Sequence, residues 1–236
     1  MRTYHANEIG NVAVLGHSGC GKTSIIEAMA YRSGLIKRAG TINEGNTISD
    51  YSDEEINRKS SVNLSIIPVE WNNCKINLID VPGTFDFVGE CEAALSVCES
   101  ALIIDPATPG ISAGTKQAMY KARDKAKIIY INGLDNPNSD YPTKLQQLKD
   151  TYGKVIAPIQ VPIMENNKMI GYVNVAKMEG RIFDGDHTIP GDIPEDLMDE
   201  ILPIKEMIDE AVANTNDELL EKYINEEPFT KDEISL

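Results

Sequence analysis

The sequence predicts an α/β fold: a mostly parallel sheet with helices on both faces, carrying an α+β insertion. Three observations lead there. Strand-length apolar runs alternate with helix-spaced segments through residue 152, the rhythm of β-α-β units. A glycine-rich turn, GHSGCGK, separates the first run from the first helical segment. Past residue 152 the texture changes to paired short strands and acidic helical segments, which sets 153–236 apart as an inserted subdomain beside a core of 1–152. With 236 residues, 42% of them hydrophobic, and 17 Gly, the chain holds enough apolar material for a substantial core. That composition excludes a disordered or collagen-like chain.

Residues 12–15 form a short apolar run ending at Gly16, and 24–32 carries Ile25, Ile26, Ala28 and Met29 at helical spacing, with Gly34 as a C-terminal cap. Residues 37–61 are polar, rich in Gly, Asn and Ser, and lack a periodic apolar face. They read as a long loop, which in a compact domain is usually functional or mobile. Runs at 62–71 and 74–79 flank Asn72-Asn73, a hairpin turn, and the second ends in Asp80-Val81-Pro82-Gly83. A helix at 87–99, a strand at 101–105, a helix at 114–126, a strand at 127–131 and a helix at 142–152 continue the alternation. In the insertion, 155–164 and 169–175 flank Glu165-Asn166-Asn167-Lys168 as a second hairpin, and acidic helices follow near 194–213 and 216–226. Thr230-Lys231-Asp232-Glu233 is a capping box that opens a helix three residues before Leu236, so the chain reads as a fragment.

The 22 basic residues against 37 acidic ones leave a net charge of −15. Such a surface repels phosphate backbones, which argues against a DNA partner. It leaves room for a nucleotide site built from backbone amides. Cys20, Cys74, Cys91 and Cys98 form no CxxC pair and read as free thiols in a reducing cytosol. Cys91 and Cys98 share one helix face and read as small core residues. Cys20 lies near a helix N-terminus, a setting that lowers a thiol pKa. His5, His17 and His187 lack zinc-ligand spacing. No secretory signal and no run of ~18 apolar residues is present, so a soluble, cytoplasmic, monomeric protein without a membrane partner is expected.

Three motifs carry chemistry. Gly16-His17-Ser18-Gly19-Cys20-Gly21-Lys22-Thr23, followed by Ser24, matches G-x-x-x-x-G-K-[ST] in full. Its glycines let the backbone wrap a phosphate, while amides and the helix N-terminus supply partial positive charge. Lys22 reaches the outer phosphates and the Thr23 hydroxyl ligates Mg²⁺. Asp80-Val81-Pro82-Gly83 ends a strand, where the carboxylate holds the Mg²⁺ shell and Gly83 N–H approaches a γ-phosphate. Asn132-Gly133-Leu134-Asp135 follows another strand. A carboxylate there accepts two hydrogen bonds that guanine offers and adenine does not.

These residues resemble the GTPase domain of elongation factor G and related ribosome-associated translational GTPases. The resemblance runs through GHSGCGKTS, Asp50 with Arg58 in DYSDEEINRKSSV, DVPGTFDFVGE and INGLD. It continues through IQVPI, GYVNVAKMEG and IPEDL in the insertion. It implies GTP/GDP binding with Mg²⁺, a P-loop GTPase fold, hydrolysis stimulated by the ribosome in a translocation-type step, and contact of the acidic helices with a ribosomal stalk protein. Residues 16–24, Asp80, Gly83, Asn132 and Asp135 would then hold the nucleotide, with Lys22 stabilising charge. The departures are specific. Gly133 replaces a lysine whose stem covers the base, a loss of about 1 kcal/mol. Thr84 stands where the family has a histidine beside the attacking water. The Mg²⁺-binding threonine of the loop has only an approximate counterpart in Thr47, one residue out of register, and the S-A-x guanine motif is absent. Rival readings are a GTP-binding regulatory module with little hydrolysis, a ribosome-protection GTPase, and a P-loop kinase or ATPase, which Asp135 disfavours.

Overall fold

Strand β1 (Ile9–Gly16) is apolar on both faces, which demands a covering layer on each side. Ala13 and Leu15 pack on one face with Ile79, Val81, Leu95 and Ile103. Val14 packs on the other with Ile26, Ala30, Ile67 and Ile104. The computed structural model describes residues 2–166, 168–185 and 187–234, the side chains of Lys154, Lys231 and Asp232 excepted. Asn167 of the predicted second turn and the terminal Leu236 lie outside the described residues.

After β1 come α1 (Lys22–Arg32), α2 (Asp53–Arg58), β2 (Ser65–Trp71), β3 (Cys74–Asp80) and α3 (Val88–Val97). Then follow β4 (Ser100–Pro106), α4 (Ala113–Lys121), β5 (Ala126–Asn132) and α5 (Tyr141–Tyr152). The sheet order is β2-β3-β1-β4-β5, all neighbours parallel except the β2–β3 hairpin. Helix α1 covers the face of Val14; α3 and α4 cover that of Leu15. This is the mostly parallel, two-sided sheet that the alternation predicts. Asn72 and Asn73 take φ of 46° and 64°, the left-handed pair of a two-residue hairpin turn. Cys98 is a core residue with Cys91 packed against its cluster. At the end of β4, fully buried Lys144 donates to Asp105 Oδ2 at 3.0 Å, and Thr115 Oγ1 donates to Asp105 Oδ1 at 2.6 Å.

Spatial proximity divides the chain into two compact units, Met1–Lys144 and Leu145–Leu236. That division falls inside α5, where the sequence texture changes eight residues later. The second unit contains β6 (Gln160–Glu165), β7 (Lys168–Asn174), β8 (Glu179–Asp184) and β9 (His187–Gly191), antiparallel in that order. Besides most of α5 it holds the helices α6 (Glu195–Ala213), α7 (Asp217–Ile224) and α8 (Lys231–Ile234). Helix α8 opens on the predicted capping box: Thr230 N donates to Glu233 Oε2 at 2.7 Å, and Glu233 N to Thr230 Oγ1 at 3.3 Å. No helix among the described residues is long and apolar enough to cross a membrane.

Three elements go beyond the sequence expectations. The polar loop 37–61 encloses α2, whose start is the S-x-x-E box of Ser52 and Glu55. Strands β8 and β9 are the other two; Arg181, Thr188 and Pro190 dilute their apolar alternation. Asp184-Gly185 between them is a hairpin signal all the same.

Candidate functional site

The loop between β1 and α1 is shaped by glycine at its end. Gly21 has φ +100° and caps α1, and a Cβ there would strike the Asn132 side-chain amide. Lys22, only 7% exposed, folds back over the loop and donates to Gly16 O at 3.2 Å and His17 O at 3.0 Å. Ser24 and Gly19 are exposed. Cys20 does not carry the lowered pKa that a helix N-terminus suggests. Burial pushes its thiol up, against the opposing effect of the nearby Lys22 charge.

The end of β3 meets this loop. Thr23 Oγ1 donates to Asp80 Oδ2 at 2.8 Å, and Ser61 Oγ lies 3.5 Å from Thr23 Oγ1. Asp80 Oδ1 and both oxygens of Asp50 are buried without a hydrogen-bond partner of normal geometry. Burial raises the Asp80 carboxyl to about 6, with the Asp50 charge adding to the rise while Thr23, Lys22 and Ser49 oppose it. Asp50 is likewise raised by burial, with Ser61 and Lys22 opposing and Glu55 and Glu27 adding to it. Thr47 does not join this group: its hydroxyl accepts from Asp50 N at 3.3 Å. Ser61 is the loop hydroxyl that the fold brings to Thr23.

Beyond Asp80 the chain lies directly on the phosphate loop. A Cβ on Gly83 would sit 2.6 Å from Ser18 N and 2.8 Å from His17 C, and would also strike Lys22 Nζ. Only glycine permits that approach. Thr84 follows in extended conformation, its Oγ1 buried and without a partner, as is His17 Nδ1. The His17 and Phe85 rings lie 6.2 Å apart.

At the end of β5, Asn132 Nδ2 donates to Cys20 O at 2.9 Å. The residue expected to read a base therefore also joins two loops, with one amide proton and its oxygen left over. Asp135 is exposed, open to whatever base covers it. Gly133 has φ +80° with open space around it, so a lysine there would be strained as well as added contact.

A family model described as the elongation factor Tu GTP binding domain matches residues 7–230. The chain belongs to this family. Among curated proteins, elongation factor G of Mycoplasma genitalium is 27% identical over 99% of this chain and 35% of its own length. A crystal structure of a protein from Thermus thermophilus superposes with a TM-score of 0.87 at 30% identity, over 96% of this chain and 34% of that one. The chain thus spans about a third of the length of the relatives it matches.

For a GTP-binding domain, the acidic cluster has a direct reading. Two carboxylates with three unpartnered buried oxygens, beside two hydroxyls, suit a hard cation such as Mg²⁺, which takes oxygen ligands. Asp50 and Ser61 are the members of this cluster that sequence reasoning missed. The one available signal was Asp50 eight residues before Arg58, which registers the loop differently from Thr47.

The cluster also predicts a trade-off. A rise of Asp80 from 3.8 to about 6 opposes its ionised form by about 3 kcal/mol. The folded chain then binds more protons than the unfolded one between about pH 4 and 6, so this group's stabilising contribution is lost as pH rises through that window. Asp80→Asn is uncharged and still accepts from Thr23. It is expected to stabilise the nucleotide-free chain at pH 7.5 by roughly 1–2 kcal/mol, a Tm rise of about 2–6 °C, and to flatten the fall across pH 4–6. Thermal melts of both proteins across that range check it; a lower Tm at pH 7.5 counts against it.

Proposed function

We propose that this domain binds GTP with Mg²⁺ and hydrolyses it in ribosome-coupled translation, as the nucleotide domain of an elongation factor G-like protein serving a translocation-type step. The observation that carries the reading is the convergence of Thr23, Asp80, Ser61 and Asp50 beside Lys22 and the phosphate loop. Amides 17–23, the α1 N-terminus and Lys22 hold the phosphates and stabilise charge developing on them. Thr23 and Asp80, joined by Ser61 and Asp50, would hold the cation, which supplies further charge neutralisation when bound. Gly83 gives its N–H close access to a terminal phosphate, and Asp135 accepts from guanine. Asn132 acts by fixing the phosphate loop against that guanine segment. The core 1–152 would act as the switch, with the insertion 153–236 offering acidic helices to a ribosomal stalk protein. The protein would work as a cytoplasmic monomer on the ribosome.

Competition of GTP and ATP against a fluorescent GDP analogue tests the base preference, and equal competition would sink it. Asp135→Asn is expected to weaken GTP binding roughly 30–100-fold, as a charged acceptor of two hydrogen bonds is lost. The same variant should gain affinity for xanthosine triphosphate, whose O2 replaces the guanine amino group. Titration with both nucleotides measures this.

A second reading, a regulatory module that binds GTP and barely turns it over, is favoured by one observation: Thr84, without an imidazole, stands next to Gly83. Turnover measured beside binding separates the two.

A further inference from the structure

The long polar loop and the residues just after it are held by carboxylates that accept backbone amides. Glu27 of α1 accepts from Gly40 N at 2.8 Å and from Ile48 N. Glu90 of α3 accepts from Leu64 N at 2.8 Å. Ser65 Oγ adds a bond to Ser49 O at 2.7 Å. Between these anchors lies Glu55 of α2, only 1% exposed.

Glu55 does more than its capping box requires. Oε2 serves the box, accepting from Ser52 N at 3.2 Å and Ser52 Oγ at 2.7 Å. Oε1 reaches seven and eight residues on, accepting from Val62 N at 3.1 Å and Asn63 N at 3.2 Å. Ser52 lies two residues past Asp50, and Val62 directly follows Ser61. Burial alone pushes the Glu55 carboxyl up, but the four hydrogen bonds outweigh it and hold it below the ordinary value. The group is an ionised, fully satisfied acceptor inside the loop.

We infer that Glu55 is a positioning residue of the metal–nucleotide site: one buried carboxylate joins the stretch carrying Asp50 to the stretch carrying Ser61 and holds both beside Thr23 and Asp80. The inference rests on the reading of that site as a Mg²⁺–GTP site. Without Glu55, the two amides directly after Ser61 lose their acceptor, and the Ser61 hydroxyl must be ordered at the expense of binding. The effect therefore acts on the Mg²⁺-dependent part of nucleotide affinity. A loop that were merely loosened would lose affinity equally with and without the cation.

The test titrates Mg²⁺ against retention of the non-hydrolysable analogue 5′-guanylyl imidodiphosphate by the 236-residue chain. Glu55→Ala is expected to raise the Mg²⁺ concentration for half-maximal retention about tenfold, with affinity in EDTA within twofold of wild type. Glu55→Gln keeps an acceptor for Val62 and Asn63 and should restore most of the loss. In a Ser61→Ala background, Glu55→Ala should add clearly less than its own tenfold change, because part of its effect acts through Ser61. An unchanged Mg²⁺ requirement, an equal loss in EDTA, or additive effects overturn the inference. Amide exchange on the nucleotide-free wild type stands independently of any variant's folding. Val62 and Asn63 should exchange at least about 100-fold slower than unprotected amides, and rapid exchange overturns the clamp. A wild type whose retention ignores Mg²⁺ overturns the site reading itself; a Mg²⁺-dependent wild type with an unchanged Glu55→Ala overturns only the role of Glu55.

Discussion

Thr84→His is expected to raise single-turnover GTP hydrolysis roughly 10²–10⁴-fold while leaving GTP affinity within about twofold. Gly83 rests against Ser18 N, so the next side chain stands at the edge of the space a terminal phosphate would enter. Thr84 fills that position with a short hydroxyl, buried and without a hydrogen-bond partner. An imidazole reaches farther, donates a hydrogen bond to water and gains positive charge near neutral pH; a threonine hydroxyl does none of these at that distance. The gain is about 3–5 kcal/mol of barrier, drawn from orienting the attacking water and stabilising charge on the transition state. Ground-state binding scarcely involves the side chain, so affinity holds. Rapid-quench assays with ribosomes at saturating GTP, using the full-length protein, measure the rate. An unchanged or slower rate with intact binding would mean that another group positions the water.

Lys22→Ala is expected to weaken GTP binding by about 10³-fold, near 4 kcal/mol, with the fold retained. The ammonium sits on the loop and donates to Gly16 O and His17 O. Phosphate oxygens would take over as partners in charge-assisted bonds of roughly 1.5–3 kcal/mol each. Lys22→Arg should not rescue, since the wider guanidinium meets Gly83, whose position leaves no room even for a Cβ beside Nζ. Calorimetric titration with GTP and Mg²⁺, alongside a thermal melt, checks both statements. A loss under fivefold in Lys22→Ala would defeat the assignment.

The parts of this molecule that could be read directly are those whose logic is local. GHSGCGKT is contiguous, and a phosphate loop needs glycine, lysine and threonine at fixed spacing, so the string alone names the chemistry. The core strands were legible because burial on two faces makes them apolar runs, and the Asn72-Asn73 turn because two left-handed residues are required there. Cys20 shows how a local rule fails: the helix N-terminus argues for a lowered thiol pKa, and burial reverses it.

The loop 37–61 marks where local logic ends. Glu27 on α1 accepts amides of the loop 13 and 21 residues away in sequence, and Glu90 on α3 accepts Leu64 N, just past the loop, 26 residues away. A hydrogen bond between distant segments leaves no periodic trace, so beyond the spacing of Asp50 and Arg58 the residue pattern does not separate Thr47 from Ser61 as the hydroxyl that faces Thr23. Asn132 carries a tie of the same kind: beside the base contact its motif predicts, its amide also holds Cys20 O across 112 residues. Residue order alone is enough for the phosphate loop, the strand–helix alternation of the core and the family. Which loop side chains surround Asp80 is fixed only in the folded chain, because burial and backbone donors from non-neighbouring segments compete there for a few buried carboxylate oxygens.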